Sequence, residues 1–434
     1  MKDCVYKMTS KGASLIETLI GTSIAMGMLA ATLHVGTELQ RKSSWEEEAL
    51  TLHTIGTQIM QTLEEHFLNA GHGFGSTLLL AQWNNYYEHL PGDHANEHRY
   101  AVDIYPCWKD CQNEQNYGPY KNLHPENFSD EIHTHAMDPS YIRGIVGKFE
   151  DKDSNVSTKW TYILEDRFAG FEWRGGGDWL YAVVDKDSAW GCALGVTYVG
   201  KKDNQDVFRT GISGINISQE CHSAGGSFWE KENYTNLRAG PLNGFSARLK
   251  FDVLGPALEF PKDNIMTTLA RHNSGHVGSH WGYPYYLDWT IASRSVISLK
   301  AALGIVDPQN PHQVLWFPDK EKNHPYISMC DETVDPESFA RCADIVSNYF
   351  GGRDEELELN YRHALMRRVR AVRLSLIVQS RRADARKVEL DGSGAFVANA
   401  DGTFKNGRLT KRFERTIWPP NLQEMKADMG EESE

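Results

Sequence analysis

His94, Glu97 and His98 form the pattern with the most definite chemical meaning in this 434-residue chain. The pattern H-x-x-E-H is used by zinc peptidases in which two histidines on one helical turn hold the metal and the glutamate acts as the base. That chemistry needs a stable helix, but a Pro-Gly pair at 91–92 precedes the pattern and the strand-like run 101–105 follows it. We therefore interpret the match as chance in a chain with 17 histidines, and we predict no enzymatic activity.

A structural zinc ion is the second chemistry that this region could support. His94, His98, Cys107 and Cys111 contain two four-residue spacings, and imidazole and thiolate are the ligands that zinc prefers. Oxidation of the two thiols competes with metal binding when a chain is exported to an oxidising compartment. We favour oxidation and predict no metal centre.

The remaining cysteines extend the same argument. Of seven cysteines, Cys4 lies in the basic segment at the N-terminus, which leaves an even set of six. An even set in an exported chain suggests disulfides, and six cysteines allow about fifteen connectivities. We favour pairing between nearest neighbours, because each pair then closes a loop within one local segment. The predicted pairs are Cys107–Cys111, Cys192–Cys221 and Cys330–Cys342.

The N-terminal apolar segment carries a single acid, Glu17. Residues 18–37 have no formal charge, and at about 1.5 Å per residue they span roughly 30 Å, one bilayer core. A carboxylate at the edge of hydrocarbon costs about 2–3 kcal/mol unless it is compensated. If the chain is cut after Gly12, the new amine of Ala13 is a cation about one helical turn from Glu17 and supplies that compensation.

The twelve residues before the apolar segment favour such a cut. They contain three lysines and one aspartate, so the positive-inside rule predicts that they stay cytoplasmic. An ordinary secretory signal peptide is an alternative, with small-residue cleavage sites at 25–27 or 29–31. A plain signal-anchor helix is another. Both alternatives explain the length of the segment, but neither explains the combination of Gly12, Glu17 and the basic leader.

Beyond the apolar segment, helical spacing continues and then stops. Apolar residues recur every three or four positions from Trp45 to Phe67, and Asn69-Ala70-Gly71 has the composition of a helix end. The sequence therefore predicts one helix over 13–71, with 13–37 in the membrane. Aromatic and turn residues then favour β structure. Strand-like runs occupy 160–164, 168–173, 179–184, 194–199, 247–253 and 369–379.

Gly12, Ala13, Glu17 and the basic leader together resemble the type IV prepilin signature, a short basic leader that ends in Gly followed by a hydrophobic helix with Glu as its fifth residue. Ala13 differs from the usual Phe. The helix end at 64–73 resembles the corresponding junction of PilW-type minor pilins. Softer resemblances are a hairpin at 196–199 and 207–209 and two C-terminal strands at 368–378 and 412–418, the second followed by Asn421-Leu422.

The resemblance implies an α+β, pilin-like fold, in which a long N-terminal transmembrane helix carries a large antiparallel β-rich head with an insertion. The implied divisions are a removed leader (1–12), the helix (13–71), the head (72–255), an insertion or second lobe (256–360), C-terminal strands that complete the head (361–422) and an acidic tail (423–434).

The resemblance also implies a function. A minor pilin primes or caps a type IV pilus at its tip, together with other minor and major pilins and the inner-membrane assembly platform. The prepilin peptidase would cut the Gly12–Ala13 bond and methylate the Ala13 amine, and Glu17 would contact that amine on a neighbouring subunit. The protein would lie in the inner membrane with its head in the periplasm, and later in the extracellular pilus. A tip adhesin and a type II secretion pseudopilin are the alternatives.

The net charge indicates whether nucleic acid is a binding partner. It is −13 for the whole chain and −15 without the leader. Nucleic-acid binding depends on neutralising phosphates, so an acidic chain argues against it. The arginines between 367 and 386 could face DNA, but they also fit the flanks of a sheet strand. We predict no nucleic-acid partner and no cofactor.

Overall fold

The computed structural model combines a long helix with antiparallel sheets, which makes the fold α+β. It describes residues 15–75, 78–81, 98–106, 129–139, 142–149, 161–164, 178–185, 190–202, 205–210, 237–252, 254–261, 289–307, 309–332, 334–350, 361–397, 399 and 403–422. The leader, Ala13 and the acidic tail lie outside these residues.

The first helix, α1, runs from Leu15 to Asn69 and confirms the predicted long helix over its described part. The residues that it buries in the head are spaced by three or four positions, as one helical face requires. They are Leu52, Gly56, Met60, Leu63 and Phe67. The helix stops where the sequence predicts, because Gly71 adopts a φ of 73° and a Cβ there would lie 2.6 Å from the carbonyl oxygen of Gly75.

Sixteen strands and four short helices follow α1 in the described residues. The strands are β1 Leu78–Ala81, β2 His98–Arg99, β3 Val102–Pro106, β4 Asp130–Met137, β5 Arg143–Phe149, β6 Thr161–Leu164, β7 Asp178–Asp185, β8 Trp190–Lys202, β9 Gln205–Thr210, β10 Leu237–Asp252, β11 Gly255–Pro261, β12 Trp289–Ser293, β13 Val296–Asp307, β14 Asn310–Phe317, β15 Val369–Val388 and β16 Asn406–Ile417. The helices are η1 Ile327–Met329, α2 Pro336–Phe350, α3 Tyr361–Met366 and η2 Pro420–Leu422, where η marks a 3-10 helix.

The strands form two sheets. The larger sheet has the main order β12-β11-β10-β5-β6-β9-β8-β1-β2, with β3, β4 and β7 attached to it, and its pairing is antiparallel except between β1 and β8. The smaller sheet has the order β14-β13-β15-β16 and is antiparallel throughout.

Five of the six predicted strands overlap observed strands, namely β6, β7, β8, β10 and β15. The sixth, predicted at 168–173, lies outside the described residues. The predicted hairpin is the β8–β9 pair, with Thr197 opposite Arg209. The strand predicted to end at Gln379 continues to Val388, because its polar end still pairs with β16 through the backbone.

The segment 256–360, which the sequence suggested was an insertion or second lobe, contributes strands to both sheets. Nearly all of β11 falls in it, and β11 pairs with β10 in the larger sheet. β13 pairs with both β14 and β15 and so lies inside the smaller sheet. These strands are therefore integral to the two sheets.

Asp130 in β4 joins the larger sheet to the smaller one. Its Oδ1 accepts hydrogen bonds from Lys300 Nζ at 2.5 Å and from the Tyr326 hydroxyl at 2.8 Å, and its Oδ2 accepts one from the Ala301 amide at 2.7 Å. Burial raises the pKa of Asp130, and these donors oppose that effect. Because Lys300 and Ala301 belong to β13, this carboxyl group fixes one sheet against the other.

Candidate functional site

The N-terminal half of α1 is an exposed apolar surface. The helix is long and apolar enough to cross a membrane, and none of its most apolar stretch is buried in the head. The exposed large side chains have exposed fractions between 54% and 79%. They are Leu15, Ile16, Leu19, Ile20, Ile24, Met26, Met28, Leu29, Leu33, Val35 and Leu39. Such a surface is costly in water and is compatible with a membrane-spanning helix.

The hydroxyl groups in this half suit an apolar environment. Thr22 and Thr32 donate to the carbonyl oxygens four residues earlier at 2.9 and 2.8 Å, Ser23 does the same at 2.8 Å, and Thr37 donates to the His34 carbonyl at 2.8 Å. A hydroxyl satisfied by its own helix brings no unpaired donor into hydrocarbon. These four polar side chains are thus compatible with a membrane-spanning helix.

Glu17 lies in the first turn of α1, and its side chain is exposed. The sequence carries no other formal charge between Leu15 and Glu38. A carboxylate in the first turn interacts favourably with the positive end of the helix dipole, by about 0.3–1 kcal/mol. That term is smaller than the cost of a charge in hydrocarbon, so a nearby cation would still stabilise it. Gly12 and Ala13 lie outside the described residues.

The C-terminal half of α1 packs against β15 and β16. Leu374, Leu376 and Val378 of β15 are fully buried and alternate with residues on the opposite face of the strand. Phe413 of β16 lies against the helix backbone at Gly56, where a Cβ would come within 2.1 Å of the ring. The absence of a side chain at Gly56 therefore allows the helix to approach the sheet.

Replacing Gly56 with valine is expected to lower the free energy of unfolding by about 2 kcal/mol, because overpacking at the Phe413 ring outweighs the gain in helix propensity. The measurement is denaturant unfolding of the full chain in detergent micelles. Gly36→Val is the matched control, since a Cβ there has no atom within 4 Å. If Gly56→Val costs the same in a Phe413→Ala background, the explanation by contact with the ring is wrong.

Three ion pairs connect α1 to the head. Arg41 binds Asp384 at 2.8 Å, Arg382 lies 3.4 Å from Glu48, and Arg415 binds Glu64. Pairs at this exposure each contribute about 0–1 kcal/mol, so they add little to stability. They accompany the orientation of α1 that its buried apolar face determines.

The end of α1 also contacts the larger sheet. The His66 ring stacks on Phe245 of β10 at 3.6 Å between centroids, and Phe245 lies 5.2 Å from Phe260 of β11. Burial lowers the pKa of His66, against an opposing effect of Glu65. The helix is therefore anchored to both sheets through its C-terminal half.

One predicted disulfide is present. Cys330, which follows η1, is bonded to Cys342 of α2, and both side chains are buried. The bond closes the short loop that the nearest-neighbour pairing predicted. For the other two pairs, Cys107, Cys111 and Cys221 lie outside the described residues, and Cys192 lies within β8, so those pairings stay predictions.

The zinc pattern does not continue as a helix. His98 begins the two-residue strand β2 and pairs with Leu80 of β1, whereas His94 and Glu97 lie outside the described residues. A strand does not bring residues four positions apart together as one helical turn does. Within the described ranges, no group of three or more His, Cys, Asp or Glu side chains is placed to hold a metal ion.

The arginine run lies at the start of β15 and along it, as the strand-flank interpretation predicts. Arg368 and Arg370 donate to the carbonyl oxygens of Ala364 and Arg367, each at 2.9 Å. The Arg373 guanidinium lies over the Trp316 ring, 4.6 Å from its centroid. These three arginine side chains therefore make contacts within the protein itself.

One buried cluster of side chains has the composition of a hydrolase triad. His133 Nδ1 lies 2.7 Å from the Ser246 hydroxyl, and His133 Nε2 lies 3.1 Å from Glu131. The exposed fractions are 1% for Ser246, 1% for His133 and 5% for Glu131. A substrate cannot reach a hydroxyl so enclosed without separating β4 from β10, so the cluster joins two strands. The sequence did not reveal it, because Ser246 is 113 residues from His133.

Arg362 in α3 is the centre of a buried polar cluster that the sequence also did not reveal. Its guanidinium donates to Asp103 at 2.5 Å and to the Tyr105 hydroxyl at 2.8 Å, and the Tyr105 hydroxyl donates to Asp103 at 2.8 Å. The Arg362 guanidinium also lies 5.2 Å from the centre of the Tyr100 ring. The cluster joins α3 to β3.

His363 predicts a pH dependence of stability. Burial, with a smaller effect of Arg367, lowers its pKa from 6.5 to about 4. The unfolded chain therefore binds a proton at His363 at a higher pH than the folded chain does. This contribution to stability is complete above pH 6.5 and is lost as the pH falls towards 4.

Between pH 7 and pH 5, we expect the natural protein to lose about 2 kcal/mol more unfolding free energy than His363→Gln does. The measurement is denaturant unfolding of the full chain in detergent at both pH values. His312→Gln is the matched control, because His312 is exposed. A His363→Gln profile as steep as that of the natural protein would contradict the assignment.

The described candidate site thus has three parts. They are the exposed apolar half of α1, Glu17 in its first turn, and the surface of β15 and β16 on which the other half of α1 packs. Comparison of the chain with protein-family models, with curated proteins and with solved structures finds no match.

Proposed function

We propose that the protein is a minor pilin of a type IV pilus, a non-enzymatic subunit that primes or caps the filament at its tip. The single observation that carries the proposal is the position of Glu17. It is the one acidic residue at the start of an otherwise apolar, exposed helix half, five residues after Gly12 of a basic leader.

In this proposal, the prepilin peptidase cuts the Gly12–Ala13 bond and methylates the new amine. The cation at Ala13 then lies within reach of Glu17 of a neighbouring subunit. At about 4 Å and an effective dielectric constant near 20, such a pair interacts by about 4 kcal/mol before desolvation is counted. The pair would therefore set the axial register of the subunits.

The same surface serves both proposed locations. Before assembly, residues 13–37 lie in the inner membrane and the head lies in the periplasm, consistent with the exposed side chains and satisfied hydroxyls of α1. During assembly, the apolar half exchanges lipid for the helices of other minor and major pilins. The inner-membrane assembly platform is the remaining proposed partner.

Deletion of the coding sequence in the native host tests the function, with pilus counts by electron microscopy and attachment assays as the two readouts. The proposal predicts loss of pili and recovery when the natural chain is restored. Normal pilus numbers with lost attachment would instead favour a tip adhesin. Normal pili with failed protein export would favour a pseudopilin of type II secretion.

A further inference from the structure

Lys300 and Asp130 meet where the two sheets join, with an amine and a carboxyl group in direct contact. Lys300 Nζ lies 2.5 Å from Asp130 Oδ1. Because a C–O bond is about 1.2 Å long, the carboxyl carbon of Asp130 lies at most about 3.7 Å from this nitrogen. Reacting atoms about 3–3.5 Å apart are near the geometry of attack. The amine is therefore close enough to the carboxyl carbon of Asp130 to react with it.

Burial favours the uncharged forms that such a reaction needs. The Asp130 side chain is fully buried, and the Lys300 side chain is 25% exposed. Burial raises the pKa of Asp130, against the opposing effects of Lys300 and the other hydrogen-bond donors. Transfer of a proton from Nζ to the carboxylate gives a neutral amine, which is a nucleophile, and a carboxylic acid, which is a better electrophile than a carboxylate.

Two further groups are placed to assist the reaction. The Ala301 amide donates to Asp130 Oδ2 at 2.7 Å, where it would stabilise negative charge on that oxygen. The Tyr326 hydroxyl lies 2.8 Å from Asp130 Oδ1 and 2.7 Å from Lys300 Nζ, so it contacts both the attacking nitrogen and the oxygen that would leave. Burial raises the pKa of Tyr326, which keeps this hydroxyl protonated. The hydroxyl can therefore relay a proton between the two atoms.

We propose that Lys300 and Asp130 condense to form an intramolecular amide bond, which links β13 to β4 covalently. The neutral amine attacks the carboxyl carbon, and the electron pair of the C=O bond moves to Oδ2, next to the Ala301 amide. A proton then passes from the nitrogen through the Tyr326 hydroxyl to the Oδ1 hydroxyl. The C–Oδ1 bond breaks, one water molecule leaves, and the carbonyl at Oδ2 forms again. The step needs no oxidant and no cofactor.

The position of the bond indicates what it would do. β4 belongs to the larger sheet, whereas β13 belongs to the smaller sheet and pairs with β15, on which α1 packs. The bond would join residues 170 positions apart in the chain. It would therefore prevent the larger sheet from separating from the sheet that holds α1, even under mechanical load. This inference does not depend on the proposed function.

Mass spectrometry of the full chain purified from membranes tests the proposal after reduction and alkylation of the cysteines. Lys300→Arg is the reference, because a guanidinium keeps the charge but stays protonated and cannot form the amide. Beyond the difference between the two side chains, the natural chain is expected to be lighter by the mass of one water molecule. Trypsin should then release one branched peptide that joins residues 122–143 to residues 295–320, because it no longer cuts after Lys300.

Lys405 and Glu389 provide a matched control within the same chain. Their nitrogen–oxygen distance is also 2.5 Å, but their side chains are 39% and 59% exposed. Solvent keeps both of these groups charged, so we expect their tryptic peptides to remain separate. Tyr326→Phe removes the proton relay and is expected to slow formation of the branched peptide by at least about tenfold in a pulse-chase experiment.

Three results would count against the proposal. Separate peptides 122–143 and 295–300 from the natural chain, without the branched peptide, would overturn it and leave an ordinary ion pair between the sheets. An equally abundant link between Lys405 and Glu389 would overturn the argument from burial. Formation of the branched peptide at the natural rate in Tyr326→Phe would overturn the proton relay.

Discussion

Glu17→Gln is expected to insert into the membrane normally and to be incorporated into filaments at least about tenfold less than the natural chain. Glutamine keeps the size of the side chain but removes its charge, so in the proposed pairing the Ala13 amine of the neighbouring subunit would lose its partner. Even about 1.4 kcal/mol lost per contact changes an equilibrium tenfold. The measurement is quantitative immunoblotting of sheared filaments against the membrane fraction.

Two further variants sharpen this experiment. Glu38→Gln removes the next acid of the helix, beyond the apolar segment, and should leave incorporation unchanged. Glu17→Asp retains the charge on a shorter side chain and should recover part of the incorporation. Unchanged incorporation of Glu17→Gln would remove the electrostatic basis of the proposed function.

Arg362→Met is expected to lower the free energy of unfolding of the full chain by about 3–5 kcal/mol. The exposed fractions of Arg362 and Asp103 are 2% and 4%, so the change leaves a buried carboxylate without its cation. Methionine retains much of the length of the side chain, which limits the contribution of a cavity. The measurement is denaturant unfolding at pH 7 in detergent micelles.

The matched control is the exposed pair between Arg341 and Glu337 of α2, at 2.7 Å. Arg341→Met removes a contact of similar length from the surface, where solvent screens the charges, and should cost less than about 1 kcal/mol. Equal costs for the two arginines would mean that burial does not set the strength of the Arg362 cluster.

Local pattern predicted much of the fold. The helix was visible because apolar residues from Trp45 to Phe67 keep one spacing, and its end was visible because Gly71 follows it. The β8–β9 hairpin was expected from the resemblance of residues 196–199 and 207–209, with a polar turn between them, to a hairpin of minor pilins. Each of these signals lies within one continuous stretch of the chain.

Contacts between distant residues could not be predicted in the same way. Arg362 and Asp103 are 259 residues apart, and Lys300 and Asp130 are 170 apart. In neither pair do the residues adjacent in sequence to one member specify the other member. The place of 296–307 within the smaller sheet was missed for the same reason, because the strand pairs with residues more than 60 positions later.

In the candidate site, too, local features could be predicted from the sequence and contacts between distant residues could not. Glu17 and the apolar segment were evident from composition, because a lone charge is conspicuous in an apolar run. The close approach at Gly56 was not evident, since it depends on Phe413 of a strand more than 350 residues later.

Mass spectrometry of the N-terminal peptide of protein purified from membranes tests the central claim most directly. The account predicts a mature chain whose first residue is Ala13 with a methylated amine. A chain that still begins at Met1, or one that begins close to Ala31, would contradict it. In the first case Glu17 would have no new amine within reach, and in the second Glu17 itself would be removed, so either result would take away the foundation of the proposed function.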